Sequence, residues 1–290
     1  WKPTGAKMAL PSREAFSIAW DKCKTMKLAT RLGVPCPETW YPDEQHIEQI
    51  RDIATYPLLI KPNISAGARG ITLVETPEEL VETYKSVIAK WGPAHLQEWI
   101  PDGGEQFKSD VILGASGEVL ALFVCRKVRY YPVKGGSSTL IVSQKDEAIE
   151  QSVLKIVKEL QWHGFADFDF IVDPRDGVAK LMECNPRFPE SLVVNLFAGV
   201  DFAWIVYQLA SQGAAQPITA YREGRYARFL VGDFMWFLSS QQRWKAKPSF
   251  FNFFGRDLTY YVERLDDPGP TLCYLIEAIL TLISPRKLAY

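Results

Sequence analysis

The five cysteines, Cys23, Cys36, Cys125, Cys184 and Cys273, include no C-x-x-C pair and are odd in number. That pattern argues against a disulfide framework and a structural zinc site, so reduced thiols and a cytoplasmic location are expected. Histidine is scarce: His46, His95 and His163 stand apart, none at metal-ligand spacing with another, and no histidine base is expected. Neither sign of charge is in excess, with 33 Lys and Arg against 34 Asp and Glu, which removes the broad footprint of a nucleic-acid binder. No apolar run approaches the roughly 20 residues of a membrane span. The start lacks the charged-then-apolar layout of a secretory signal. Nucleic acid and membrane are therefore set aside as partners. Repeats and low-complexity tracts are missing as well. The chain opens on Trp1 rather than methionine, and residues 1–10 are read as the residual linker to an N-terminal domain, either removed or never present.

What is present is 290 residues, 47% of them hydrophobic, enough for a sizeable core. Ser12 as N-cap, apolar positions from Phe16 to Leu32 and Gly33 as the stop predict one helix over 12–32. Residues 57–62 read as a short strand ended by proline, 65–70 as a Ser/Gly-rich loop, and 71–74 as a second strand. A capping box of Thr76 and Glu79, with Pro77 at the first helical position, predicts a helix to about Lys90, followed by a strand over 95–100. Strands at 106–113 and 119–128 turn at Gly117, and a helix spans about 145–161. A second hairpin, 164–172 with 178–184, crosses the turn from Asp173 to Gly177. From about 221 the chain is rich in Phe, Trp and Tyr with weak periodicity. Its apolar stretch 271–283 is read as core packing or a dimer face, with peripheral membrane or partner docking as the alternative.

The second hairpin carries the chemistry. Asp167 and Asp169 share one face of its first strand, and Glu183 and Asn185 one face of its second. Mg²⁺ takes oxygen ligands, usually a few protein carboxylates completed by phosphates and water, so Asp169, Glu183 and Asn185 suit a nucleotide-bound metal. In isolation, alternating acids on a solvated sheet face would look the same.

The stretch Met182-Glu183-Cys184-Asn185-Pro186-Arg187-Phe188 adds a motif. It resembles the E-x-N-P-R signature of ATP-grasp enzymes, in their carbamoyl-phosphate-synthase-like and carboxylate-amine-ligase branches. The resemblance runs from about Leu10 to Ala210, with several motifs in family order. It implies an α+β, two-lobed ATP-grasp fold with antiparallel sheets, plus an aromatic-rich C-terminal segment. The catalytic region would span 11–220, with a first lobe at about 57–100, a second at about 101–220 and an extension over 221–290.

Carried over by position, the resemblance places Lys22 and Lys61 on the ATP phosphates. Ser65, Gly67 and Gly70 fall in the phosphate-covering loop, where Asn63 stands in place of a basic residue frequent in relatives. Glu98 and Ile100 fall at the adenine edge, Glu105 on the ribose, and Arg126 and Lys127 near the phosphates or the acyl-phosphate. Arg187 would grip the phosphoryl group in transfer. Residues 134–139 resemble a Gly/Ser loop near the substrate, although a plain turn would look alike. The implied cofactors are ATP and Mg²⁺, with Mn²⁺ as an alternative, and the implied substrates a small-molecule carboxylate and an amine. A homodimer is one assembly open to it. Two other readings stand beside the ligase: a bicarbonate-activating subunit like that of carbamoyl phosphate synthase, and a regulatory subunit that binds ATP without turnover.

Overall fold

Asp21 divides the helix expected over 12–32. Its backbone is extended, with φ −99° and ψ 108°, and its carboxylate accepts from the Lys24 N–H at 3.1 Å. It therefore ends α1 (Arg13–Trp20) and caps α2 (Lys22–Arg31). An aspartate in that place satisfies first-turn amides that have no intrahelical partner. Lys22 becomes the first residue of a new helix instead of a mid-helix lysine. Asp21→Ala is expected to cost about 1 kcal/mol of stability, read from the urea midpoint.

The computed structural model describes residues 7–283 apart from Glu44, Lys134 and Leu265, so residues 1–6 of the expected linker, Lys134 of the Gly/Ser loop and residues 284–290 lie outside it. The chain divides into two compact units. The first comprises Trp1–Val124, Lys145–Pro189 and Asp201–Ala220, and the second Cys125–Gln144, Glu190–Val200 and Tyr221–Tyr290.

Two groups of strands organise the first unit. β1 (Thr39–Trp40), β2 (Leu58–Pro62), β3 (Thr72–Val74) and β4 (Ala94–Glu98) form an antiparallel sheet in the order β1-β4-β2-β3. Side chains alternate between its faces. Leu58, Ile60, Val74 and Leu96 bury one face against Ile50 of α3 (Ile47–Ile53) and Leu80 and Val87 of α4 (Pro77–Trp91). Lys61, its register partner His95, and Gln97 occupy the other face. Thr76 is the N-cap of α4 and Pro77 its first residue, as expected, but the Thr76 hydroxyl makes no cap bond, so the capping box does not form.

β5 (Gln106–Leu113), β8 (Gly164–Val172) and β9 (Ala179–Asn185) are likewise antiparallel neighbours. Phe107, Val111, Ala166, Phe168, Phe170 and Leu181 make the apolar face, buried in one core with Ile149, Val153 and Ile156 of α5 (Glu147–Glu159). The opposite face holds two cross-strand rows, Lys108–Asp169–Glu183 and Asp110–Asp167–Asn185. The apolar face thus fixes register, and register fixes which polar side chains meet. α7 (Phe202–Gln212) also belongs to this unit.

β6 (Val119–Tyr131) runs from the first unit into the second, where it pairs with β7 (Ser137–Ser143). β10 (Tyr226–Arg228) lies antiparallel to β7 and parallel to β11 (Leu258–Tyr260). The unit also holds α6 (Val193–Ala198), α8 (Leu230–Ser239) and α9 (Gly269–Ile283). Core packing is not what the described side chains of this stretch show: Leu272, Leu275, Ile276 and Leu280 are exposed. The described contacts of α9 are made by Tyr274, edge-on to Phe229, and by the Thr271 hydroxyl, which donates to the Val262 carbonyl. A helix with Glu277 as its one charged residue reads as core by composition, but burial requires a covering element. Among the described residues, no single helix is long and apolar enough to cross a membrane.

Candidate functional site

Lys22 draws three separate stretches of the first unit together. Its Nζ donates to the Ser65 carbonyl at 2.6 Å and stands 3.2 Å from Glu183 Oε2, while its N–H donates to the Asn63 carbonyl at 2.9 Å. The start of α2, the loop after β2 and the end of β9 therefore converge.

Lys61 ends the inner run of β2 with its side chain buried, and its Nζ donates to Gln97 Oε1, whose amide in turn reaches the Thr39 hydroxyl at 3.2 Å. Burial lowers the Lys61 pKa to about 8; Glu183 opposes the shift and Lys22 adds to it. Beside it, burial and the neighbouring Lys61 and Lys22 drop His95 to about 3, so its imidazole is neutral, paired with Asn63 Oδ1 at 3.0 Å. The expectation that His95 is a satisfied side chain fits this setting. The lysine shift has a sign. Between about 8 and the ordinary value of 10.5 the unfolded chain binds more protons at this residue, so its contribution makes stability rise with pH across that window. Urea midpoints without nucleotide are expected to show the rise in the wild type, and Lys61→Met to flatten it.

The loop from Ser65 to Gly70 is exposed over residues 66–69. Gly67 and Gly70 have positive φ, 63° and 78°, and so does Ala68 at 58°. At Gly70 a Cβ would also stand 2.8 Å from Pro62 Cγ and from the Trp91 ring, so the turn needs glycine for conformation and space alike.

Across β5, β8 and β9 the charges are tightly knit. Lys108 Nζ donates to Asp167 at 2.8 Å and to Asp169 at 3.4 Å. Asn185 Nδ2 donates to Asp169 at 3.2 Å, Glu183 at 3.3 Å and Asp167 at 3.4 Å. Burial penalises the Lys108 charge, yet Asp167, Asp169 and Asp110 together hold its pKa well above the ordinary lysine value. Exposure grades outward along the group: the Asp167 side chain is 0% exposed, Asp169 16% and Glu183 30%. Among the described residues no three His, Cys, Asp or Glu side chains are grouped to hold a metal by themselves. Two half-exposed carboxylates and an amide are instead the partial oxygen set that Mg²⁺ completes with phosphates and water. The donor chemistry fits that ion, provided the Asn185 amide turns its oxygen inward.

Lys22, Ser65, Asp169, Glu183 and Asn185 are thus linked through contacts within one unit, and Lys61 feels the charges of Glu183 and Lys22. The other expected residues have these settings. Arg187, just beyond β9, is exposed, its Nη1 donating to the Phe188 carbonyl at 3.4 Å. The Glu98 N–H is committed to the Glu38 carbonyl at 2.8 Å, and its carboxylate joins a network with Arg175, Lys180 and Asp173. Ile100, the other expected base-reading position, is buried. Glu105 is exposed at the head of β5, its carbonyl accepting from Val172 N–H at 2.8 Å. Arg126 and Lys127 lie in the second unit, paired in register with Val142 and Ile141, and Arg126 Nε donates to Gln144 Oε1 at 2.9 Å.

Sequence reasoning missed Lys108 and Gln97. The signal for Lys108 was present: in the strand Gln106-Phe-Lys-Ser-Asp-Val-Ile-Leu113, Lys108 and Asp110 share the face opposite Phe107 and Val111. A lysine and an aspartate on one face of a strand that apolar should bury ask for charged partners.

Comparison with known proteins places this arrangement. Residues 19–191 match the family model described as the ATP-grasp domain, and the chain belongs to the ATP-grasp family. It is similar to the carbamoyl phosphate synthase large chain, C-terminal section, of Methanopyrus kandleri, at 28% identity over 177 residues, covering 58% of this chain and 32% of that one. It is also similar to the carbamoyl phosphate synthase large chain of Thermotoga maritima, at 28% identity over 188 residues, covering 61% of this chain and 16% of that one. The chain thus spans a third or less of the length of these relatives. Among solved structures, the biotin carboxylase domain of Hydrogenobacter thermophilus 2-oxoglutarate carboxylase superposes with a TM-score of 0.63 at 20% identity, covering 75% of this chain and 51% of that one. Biotin carboxylase of Campylobacter jejuni gives 0.64 at 20% identity with the same coverage. The fold is the α+β ATP-grasp fold expected from the sequence.

Proposed function

We propose that the chain is the catalytic core of an ATP-dependent ligase that activates a carboxylate by phosphorylation for attack by an amine. The observation that carries this is Lys22, whose ammonium joins the glycine loop at Ser65 to the metal-type carboxylate of Glu183. Phosphoryl transfer asks a protein for positioning and for neutralisation of spread charge more than for a nucleophile. Lys22 and Lys61 would hold phosphate oxygens, and the amides of the loop from Ser65 to Gly70 would close over them. A polyphosphate beside Lys61 would keep its proton on in a setting where burial works to remove it. Asp169, Glu183 and Asn185 would hold Mg²⁺, or Mn²⁺ in its place, which would supply positive charge to neutralise the phosphates. Lys108 would orient Asp169 from beneath. Arg187 would stabilise the transferring group; Arg126, Ile100 and Glu105 are carried on family resemblance alone.

Bicarbonate as the carboxylate is favoured by the relatives: the sequence relatives are carbamoyl phosphate synthases, and the Hydrogenobacter domain was crystallised as a dimer with MgADP and bicarbonate. The dimer makes a homodimer the assembly to test, and five free cysteines suit the cytoplasm. Titration with a non-hydrolysable ATP analogue, with and without Mg²⁺, followed by ADP release in the presence of bicarbonate or other carboxylates and amines, tests the reading. Magnesium-dependent binding with substrate-dependent ADP release supports the ligase, and binding without release supports the regulatory reading. Arg187→Ala is expected to keep analogue affinity within a few-fold and to lower turnover by about 10²-fold or more. Wild-type turnover in that variant would remove Arg187 from the assignment.

A further inference from the structure

From Phe234 to Arg256 the second unit has no acidic residue; its charges are Arg243, Lys245, Lys247 and Arg256. The same stretch exposes large apolar side chains: Phe234 is 50% exposed, Leu238 52%, Trp244 74%, Phe251 56% and Phe254 96%. Trp244 and Phe251, stacked on each other, make an exposed apolar patch of the kind that marks an interaction surface.

The fold holds the segment out with buried charge. Asp233, fully buried, accepts from Arg129 through both oxygens, at 2.6 and 2.8 Å, and from Arg228 Nε at 2.6 Å. The other guanidinium donors grip the segment's own backbone. Arg129 Nη1 donates to the Pro248 carbonyl at 2.8 Å, Arg228 Nη2 to Phe250 at 2.8 Å and Arg228 Nη1 to Asn252 at 3.2 Å. Buried guanidiniums are tolerated when their donors are matched, so residues 248–252 are anchored by three hydrogen bonds from arginines that Asp233 holds in place. Behind the display, Phe237 stacks on Phe250 at 4.4 Å and meets Trp244 edge-on at 5.2 Å. Trp244 and Phe251 stack on each other at 6.1 Å on the exposed side. Arg243 donates to the last carbonyls of α8, at 2.9 and 3.3 Å. Lys245, Lys247 and Arg256 remain exposed, in no ion pair among the described residues.

We propose that residues 234–256 dock on an anionic lipid surface, with the rings at the boundary of headgroup and acyl chain and Lys245, Lys247 and Arg256 on lipid phosphates and carboxylates. Charge selects this occupant. A second copy seated face to face would bring the same cations against each other, whereas an anionic leaflet complements them. Aromatic rings interleaved with lysine and arginine, without acids, are the composition of interfacial binding. The membrane partner set aside on overall composition is thus restored locally, because a net charge of −1 averages over this basic stretch.

Co-sedimentation of the full chain with phosphatidylcholine vesicles, with and without phosphatidylserine, tests the proposal. Binding is expected to be at least about tenfold stronger with phosphatidylserine and to weaken with salt. Lys245→Ala and Lys247→Ala should each weaken it about fivefold. Trp244→Ser with Phe254→Ser should reduce it at least about tenfold at an unchanged melting temperature. Failure to sediment, or equal sedimentation of wild type and both sets of variants, overturns the proposal. So does a wild-type dimer without vesicles that the aromatic variants convert to monomer in light scattering, since the face would then belong to a second copy.

Discussion

Exchanging Glu183 for glutamine is expected to lower magnesium-dependent ATP turnover by about 10²–10³-fold, with the melting temperature within a few degrees of wild type. The side chain keeps its shape and its ability to accept from Asn185 Nδ2, now 3.3 Å away, so packing has little to lose. What disappears is a charge serving two purposes. Glu183 is the more exposed of the two carboxylates proposed for the metal, and it is the anion that opposes the loss of a proton from buried Lys61. Magnesium should cease to strengthen binding of an ATP analogue, and the Lys61 pKa should fall below about 8. Magnesium-dependent binding equal to the wild type in the variant would show that the metal is held elsewhere.

Lys108→Met is expected to cost about 3–5 kcal/mol, because it leaves buried carboxylates facing one another without their shared cation. For a chain of this size the melting temperature should fall by about 10 °C. Asp167 and Asp110 are fully buried, and Lys108 Nζ stands 2.8 Å from Asp167. Without the ammonium, the carboxylates are pushed toward their protonated forms, so the penalty should be largest near neutral pH and shrink as the solution is acidified. Adding Asp167→Asn should recover part of the loss, a coupling that a double-mutant cycle reads directly. Additive losses would mean that the two residues do not act as a pair. The comparison also separates support from chemistry: Lys108→Met should affect stability first, Glu183→Gln turnover first.

Much of this site was legible in the chain. Alternation in 164–172 and 178–184 put Asp167 with Asp169 and Glu183 with Asn185, and the register of β8 with β9 brings those pairs face to face. Lys61 stands in a strand the sequence marks as apolar, and the structure buries it beside Gln97. Other features were not legible. Asp21 scored as one more position in a helical pattern, although its carboxylate ends one helix and starts the next. The network that joins the Glu98 carboxylate to Arg175 and Lys180 has no local signal either. The aromatic tail had no readable period, since its order comes from Arg129 and Arg228 closing on Asp233, and Arg129 is 104 residues away from that aspartate.

By itself the sequence determined the strand and helix alphabet, the faces on which the acids lie, the Ser/Gly-rich loop at 65–70, and the family, because all of these follow from local periods and short ordered motifs. The tertiary structure alone decided that Lys22 reaches Ser65 and Glu183, that Lys108 sits beneath Asp167 and Asp169, and that the rings of Trp244, Phe251 and Phe254 face outward. The physical reason is range. A period of two or of 3.6 residues states which side chains share a face, but partners tens of residues apart are chosen by register and by burial of the opposite face, and those exist only once the sheets are assembled.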